Sequence, residues 1–379
     1  MTGRPDAAAA PADADPCLAP PVAPLLDPLI APLLDAAPGA TAVALAAVRG
    51  RDTLLRWTGT TDRAAGRAVD ADTRFEIGSL SKTCTALLLA EAVARAEVRY
   101  GDPIARHLPS GTAPRHRSGE PITVLHLATH TSGLPRLPRG MFPGALRDWS
   151  GNPYGRYSEQ QLFDSLATTA VRARPGTRVY YSNLGVGLLG HVLAGAAGTS
   201  YPELLRARVL DPLALTRTTG DAGCDQATGH WHGRPRPPWS IPALPGAGAL
   251  RSSARDLLRY LQALIDPAGA GPLADALTDV QRPRLALPRT GDRICLVWNL
   301  RSSPGRDLFF HSGGTRGFTA FIGFCPQTRT GLAALANTTP TGNDAFSQAA
   351  YSTLRKLPGT PGRADSAGPR QGGDSFRGE

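Results

Sequence analysis

Two lysines occur in this 379-residue chain, Lys82 and Lys356; apart from histidine, every other basic side chain is arginine. Lys82 closes the run Phe75-Glu76-Ile77-Gly78-Ser79-Leu80-Ser81-Lys82, three positions after a serine. At that spacing on a helix two side chains share a face, with Cβ atoms about 5–6 Å apart. Arginine keeps its proton in a protein, whereas a desolvated or crowded lysine can release it and act as a base. A serine hydroxyl is a weak nucleophile until a base takes its proton. Ser79 falls at a helix start, where free backbone N–H groups and the positive end of the dipole favour negative charge. Serine and lysine so placed point to nucleophilic catalysis. A composition rich in Ala, Arg, Gly and Pro explains why lysine is scarce, but not why it stands here. By itself S-x-x-K is a weak pattern that chance supplies in many chains of this length.

Two further stretches carry polar groups suited to the same chemistry. Val179-Tyr180-Tyr181-Ser182-Asn183 follows the turn-forming Pro175-Gly176. Tyr181 and Asn183 are two apart, so an extended segment sends both to one side. A phenol beside an ammonium can act as general base, and an asparagine amide offers both a donor and an acceptor to a substrate amide. Two readings stay open: catalysis, or a packed Tyr181 with Asn183 as the cap of the helix from Leu184. Phe309-Phe310-His311-Ser312-Gly313-Gly314 ends an apolar strand. Small residues after His311 let a substrate approach the strand edge and expose a backbone N–H as oxyanion donor; a plain strand-to-turn transition is the alternative.

These residues need elements to hold them. Apolar spacing predicts a helix over 22–37, a hairpin of Thr41–Val48 with Thr53–Trp57, and a strong helix over Lys82–Glu97. Helices are also predicted over Ser158–Thr169, Leu184–Ala197 and Ser253–Ile265, among Pro- and Gly-rich loops between about 100 and 250. From about residue 292 the period changes to that of consecutive strands, Ile294–Leu300, Leu308–His311, Phe318–Phe324 and Leu332–Asn337, followed by a helix over Ala345–Leu357. The expected architecture is α/β (α+β): an antiparallel sheet flanked by N- and C-terminal helices, with an inserted, mostly helical region at about 100–250. The expected organisation is a disordered segment 1–21, one domain over 22–357, and a disordered tail 358–379.

Composition narrows the function classes. The formal charge is +10, yet the arginines are scattered and no dense basic run or zinc-finger spacing appears, so no nucleic-acid partner is expected. Five widely spaced cysteines (Cys17, Cys84, Cys224, Cys295, Cys325) give no disulfide framework and suit a reducing compartment. No signal-peptide pattern and no run of about 18 apolar residues is present, so a cytoplasmic location without membrane partner is expected. His230-Trp231-His232 with Cys224 lacks an obvious fourth ligand, so no metal is expected; His126 and His130 are read as packing or hydrogen-bonding residues.

Taken together and in this order, the three stretches resemble the serine β-lactamase and penicillin-binding-protein superfamily, especially its class C-like branch of β-lactamases, D-amino-acid peptidases, family VIII-type esterases and transacylases. The likeness runs from about residue 40 to 355 and includes segments 73–82, 125–135, 181–183, 246–256 and 311–318. It implies Ser79 as nucleophile, Lys82 as its partner, Tyr181 as the base that later protonates the leaving group, and Asn183 orienting an acyl amide. It implies a substrate-binding strand of His311, Ser312, Gly313 and Gly314, with backbone N–H groups of Ser79 and Gly314 as the oxyanion hole, and no cofactor. His311 stands where many relatives carry lysine. A neutral histidine attracts a substrate carboxylate less. Arg316 either replaces that charge or is a solvated turn residue. The function implied is acyl transfer through a covalent Ser79 intermediate, most simply hydrolysis of a small-molecule ester or amide. Alternatives are a transacylase using an amine or alcohol, a β-lactamase or D-amino-acid peptidase, and a non-catalytic binding protein on the same fold.

Overall fold

The computed structural model describes residues 30–357 except 65, 115–118, 142–151, 153 and 289. The expected disordered segments 1–21 and 358–379 lie outside the described residues, as does the start of the first helix, which is seen at 30–35. The central element is an eight-stranded antiparallel sheet in the order β2-β1-β12-β11-β10-β9-β8-β7. Its strands are β1 (Ala42–Arg49), β2 (Asp52–Gly59), β7 (Leu285–Ala286), β8 (Arg293–Ile294), β9 (Asn299–Ser303), β10 (Arg306–Gly314), β11 (Thr319–Cys325) and β12 (Thr330–Ala336). Two short pairs lie outside it: β3 (Phe75–Glu76) with β6 (Arg251–Ser252), and β4 (Gly229–Trp231) with β5 (Arg234–Arg236). The sheet thus joins the first hairpin of the chain to its last strands through β1 and β12.

β1 shows why both sheet faces are covered. Successive side chains of a strand point to opposite faces. Ala44, Ala46 and Val48 enter the large core, whereas Val43, Leu45 and Ala47 enter a second cluster with Leu33, Phe346, Ala350 and Leu354. A helix over Ala254–Ile265 packs on β1 and β12, and the C-terminal helix Ala345–Lys356 packs on β11 and β12. An antiparallel strand buried on both faces reads as a continuous apolar run, which is what Ala42–Val48 is.

Helix α1 (Ser81–Ala94) has no polar face over its first three turns; residues Ser81 to Ala92 are all buried. Helix α2 (Asn183–Ala197) packs against it, capped by Ser182, whose Oγ accepts from the Gly185 N–H at 2.9 Å, and closed by Gly198 at φ +66°. Lys82 lies in the first turn of this enclosed helix, so its amine is taken out of water by the fold.

The hairpin, the sheet strands and the main helices fall within a few residues of their predicted positions. The region 100–250 carries helices but also the β4–β5 hairpin and long loops. The predicted strand Ile294–Leu300 is two strands. The chain breaks at Cys295–Trp298, with Val297 at φ +67° and its N–H donating to the Ala128 carbonyl. The break turns Trp298 inward, fully buried, with its ring edge-on to Phe324 at 5.2 Å. Burial of an indole outweighs continuity of the ladder here.

Candidate active site

Ser79 is the middle residue of a 3₁₀ turn, Gly78–Leu80, that leads directly into α1. Gly78 has φ +49°, and a Cβ there would lie 2.6 Å from the Gly314 carbonyl oxygen and 2.8 Å from its nitrogen. A Cβ on Gly313 would lie 2.2 Å from the Ile77 oxygen. The end of β10 therefore rests against the serine turn, backbone on backbone, and glycine is required on both sides of the contact.

Lys82 Nζ donates to Ser79 Oγ at 2.9 Å and to the Ala247 carbonyl at 2.5 Å. The Ala247 carbonyl is delivered by a turn, Pro245–Ala247, which docks between α1 and α2. Thr85 Oγ1 donates to the Gly246 carbonyl at 2.8 Å, and a Cβ on Gly187 of α2 would strike Leu244 at 2.5 Å. Lys82 is wholly buried. Burial pulls its pKa below the ordinary lysine value; the Tyr181 oxygen opposes that shift, and the Arg136 charge adds to it.

Tyr181 Oη donates to Ser79 Oγ at 2.7 Å. Its ring lies 5.1 Å from Lys82 Nζ and packs at a 37° tilt against His130 with centroids 4.6 Å apart. His130 Nδ1 accepts from the Ser182 N–H at 3.3 Å, so its proton is on Nε2. Burial, with the Lys82 and His311 charges, drives its pKa down to about 3, leaving a neutral ring as a platform for the phenol. Ser182 caps α2 and Asn183 is its first residue, which corrects the alternative of Asn183 as the cap. Asn183 Nδ2 donates to Tyr154 Oη at 3.4 Å, and its Oδ1 is buried with no partner among the described residues.

His311 is buried in β10, with Nδ1 donating to the Ser312 carbonyl at 2.7 Å. Burial and the Lys82 charge lower its pKa to about 4, so the imidazole is neutral near pH 7. Two cavities flank Ser79. One of about 490 Å³ is lined by Tyr181, His311, Ser312, Gly313, Asn299 and Asp344. The other, of about 200 Å³, is lined by Asn183, Tyr154, Trp239, Leu244, Thr315 and Arg316. Gly314 and Arg136 line both. Arg316 is thus half-buried beside Asn183, its guanidinium 5.6 Å from the Trp231 ring, and not on the His311 side. Its half-burial beside Asn183 departs from the alternative of a solvated turn residue.

Behind this wall lies a buried carboxylate. Glu76 accepts from Thr315 Oγ1 (2.7 Å), the Trp239 N–H (2.6 Å) and Gln226 Nε2 (3.0 Å), with the Arg251 guanidinium at 3.6 Å. It ties the residue after Gly314 to the Trp239 side of the smaller cavity.

Ser79, Lys82, Tyr181, Asn183 and the strand His311–Gly314 therefore converge from three distant stretches. Arg136, Tyr154, Trp239, Glu76 and the Ala247 carbonyl join them without having been singled out as site residues. Ala247 is a backbone acceptor that any residue type supplies. Tyr154 and Trp239 lie in loops without periodicity.

A family model described as Beta-lactamase matches residues 26–355. The chain belongs to the beta-lactamase family. This family member is 28% identical to the D-alanyl-D-alanine-carboxypeptidase/endopeptidase AmpH of Escherichia coli K12 over 317 residues, 80% of each chain. It is 27% identical to a beta-lactamase of the same organism over 333 residues, 76% of this chain and 81% of that one. It is 30% identical to the human putative beta-lactamase-like 1 over 340 residues, 83% of this chain and 64% of the human protein. This beta-lactamase family chain is accordingly of the serine hydrolase type, with its sheet and helices in the expected α/β arrangement. Among the described residues no helix is long and apolar enough to cross a membrane, and no group of three His, Cys, Asp or Glu is placed to hold a metal.

Proposed function

We propose that the protein hydrolyses a small-molecule ester or amide through a covalent Ser79 acyl-enzyme. The observation that carries this reading is the double contact at Ser79 Oγ, with Lys82 Nζ at 2.9 Å and Tyr181 Oη at 2.7 Å. A lowered lysine pKa and a phenol on the same oxygen share protons as a unit, so one group is available to accept the serine proton. As the Ser79 oxygen attacks the carbonyl carbon, its proton passes to Tyr181 Oη while the phenol proton moves on to the Lys82 amine, whose lowered pKa leaves it able to accept it. The carbonyl oxygen becomes an oxyanion facing the backbone N–H groups of Ser79 and Gly314, a pairing supported by the close packing of Gly78 on Gly314. Tyr181 returns the proton to the leaving group as the carbonyl–leaving-group bond breaks. Water then attacks the acyl-enzyme with the same groups in reverse roles.

The unpartnered Asn183 Oδ1 favours acyl groups that bring an N–H donor, because a buried acceptor without a partner is costly. Neutral His311 supports ester and simple amide substrates over those held by a carboxylate on the leaving-group side. The four described cysteines are unpaired, which suits the cytoplasmic setting included in this reading.

Intact mass after treatment with a fluorophosphonate tests the proposal. One adduct is expected on the wild type and none on Ser79→Ala. A wild type that stays unlabelled, and inert to p-nitrophenyl esters, D-amino-acid amides and nitrocefin, would leave a non-catalytic binding protein.

A further inference from the structure

The Ala247 carbonyl that receives Lys82 Nζ stands near the tip of a loop running from Trp239 to Leu250. The flanks of that loop are fixed by side chains. His191 Nε2 donates to the Ala243 carbonyl at 2.8 Å, Arg251 Nη1 donates to the Ala249 carbonyl at 2.6 Å, and Ser81 Oγ accepts from the Leu250 N–H at 3.0 Å. The tip, Gly246 and Ala247, has space behind it. A cavity of about 1180 Å³, which Ser79 does not line, is bordered by Tyr201, Ile241, Pro245, Ala249 and Leu250. Ile241 also lines the smaller cavity beside Ser79, so the loop is a wall between two spaces, and packing alone does not press its tip toward Lys82. Among the described residues, the side chains that bond the tip carbonyls are Lys82, on Ala247, and Thr85, on Gly246.

Thr85 follows Lys82 by three positions on α1, and its hydroxyl has a single proton for three oxygens. These are Tyr201 Oη at 2.7 Å, the Gly246 carbonyl at 2.8 Å and the Ser81 carbonyl at 3.3 Å. The two carbonyls can only accept. Tyr201 opens the short helix Tyr201–Leu205 and is buried, with Thr85 Oγ1 as the partner of its phenol among the described residues. If Thr85 donated to Tyr201, the Gly246 carbonyl would lose its donor and the phenol proton would have no acceptor. The arrangement that satisfies both runs one way: Tyr201 donates to Thr85, and Thr85 donates to Gly246. Burial raises the Tyr201 pKa, so the phenol keeps the proton this chain of bonds needs. A hydroxyl that accepts one such bond donates the next more strongly. From this we infer that Thr85 and Tyr201 are a positioning pair, which holds the Gly246–Ala247 tip against Lys82 and thereby keeps the amine on Ser79 Oγ. The inference rests on the acyl-enzyme reading, in which Lys82 takes part in proton transfer at Ser79, and adds what fixes the lysine there. Neither residue lines a cavity beside Ser79, so both act through Lys82 and not on the substrate.

The test uses the scarcity of lysine. With two lysines in the chain, isotope-labelled lysine gives two side-chain NMR signals, and Lys356→Arg leaves that of Lys82 alone. Its titration midpoint reads the amine without any turnover. Thr85→Val removes the donor to Gly246. The tip then withdraws from Nζ, the ammonium loses a fixed acceptor, and the Lys82 midpoint should fall by about one pH unit, the scale of a hydrogen bond to a charged group. The kcat for a p-nitrophenyl ester should fall by about tenfold or more with KM little changed, because the amine is displaced from Ser79 while the substrate cavities are untouched. Tyr201→Phe should move both readings in the same direction by less, and Thr85→Ser, which keeps the hydroxyl, should restore both. Added to Thr85→Val, Tyr201→Phe should change neither further. That double variant leaves no orphaned phenol, so it serves as the readout if Thr85→Val alone folds poorly. A Lys82 midpoint that loss of the Thr85 hydroxyl leaves in place overturns the inference. So does a Thr85→Ser protein as impaired as Thr85→Val, which would show a packing role. A wild type that turns over no ester fails the hydrolytic reading instead, and the Lys82 midpoints of the same proteins then still decide the pair.

Discussion

His311 gives the most quantitative prediction, because its burial and its neighbour Lys82 act in the same direction. The folded pKa is about 4, against 6.5 for an ordinary histidine. Between those values the unfolded chain binds a proton that the folded protein refuses. Stability is then fully present above about pH 6.5 and is lost as the pH falls toward 4. At pH 7.5 the residue contributes almost nothing to this dependence. At pH 4.5 the linkage costs about 2.5 kcal/mol, worked from the two pKa values. His311→Gln, close in size and without a titrating ring, should remove that loss. Urea unfolding of both proteins at pH 7.5, 5.5 and 4.5 measures it. The wild type should lose about 2.5 kcal/mol more than the variant between the extremes, over the loss that His130 and the carboxylates cause in both. Histidine proton NMR of the native protein provides the direct check, with the His311 resonance unmoved between pH 8 and 5. A midpoint near 6.5, or parallel acid sensitivity in the two proteins, would refute the account of a ring held neutral by burial and by Lys82.

Two further outcomes follow from the serine turn. Lys82→Arg keeps a positive charge and removes the amine that can deprotonate, so kcat/KM for an ester substrate should fall by at least about 10²-fold; near-normal turnover would reduce Lys82 to a fixed charge. Gly78→Ala places a methyl group 2.6 Å from the Gly314 oxygen at a positive φ, which should part the two backbones of the oxyanion site and cost about 10²-fold or more in kcat. Circular dichroism should show the helices retained, and a wild-type rate would show that this contact does not shape the site.

Much of the architecture was legible in the sequence because its elements keep clean periods. Ala42–Val48 and Thr330–Ala336 are apolar on both faces and read as interior strands; the unbroken run Ala86–Ala90 marks the helix that starts at Ser81, although its enclosure on every face was not legible among Ser81, Lys82, Thr83, Thr85 and Glu91. The principal misreading, one strand over 294–300, came where tertiary burial of Trp298 overrode local pattern. The candidate residues Ser79, Lys82 and Tyr181 were reached through types and spacing only together with the family resemblance, since S-x-x-K alone is weak and Tyr181 alone could be a packed aromatic. The walls were not. Arg136 and Arg316 are two among many arginines in the chain, and nothing in their flanks separates a cavity guanidinium from a solvated one. Position relative to Ser79 makes that distinction, and position is a property of the fold.

Burial and charge also explain why lysine is kept at position 82 in a chain that otherwise uses arginine. Lys82 is wholly buried, and in this slot its amine donates to the Ala247 carbonyl and to Ser79. A guanidinium would fill the slot and hold its proton. An amine fits, and its pKa falls because the slot is dry. The same dryness silences His130 and His311, so the ionisable groups left to exchange a proton at Ser79 are Lys82 and Tyr181 alone among the described residues that touch it. The sheet supplies Gly314, the buried helix supplies Lys82, and the capped start of α2 supplies Tyr181. The serine chemistry proposed here needs all three together, and the backbone contacts of Gly78 with Gly314 and of Gly313 with Ile77 bring the sheet edge to Ser79, which is why glycine at 78 and 313 matters to the site as much as its side chains.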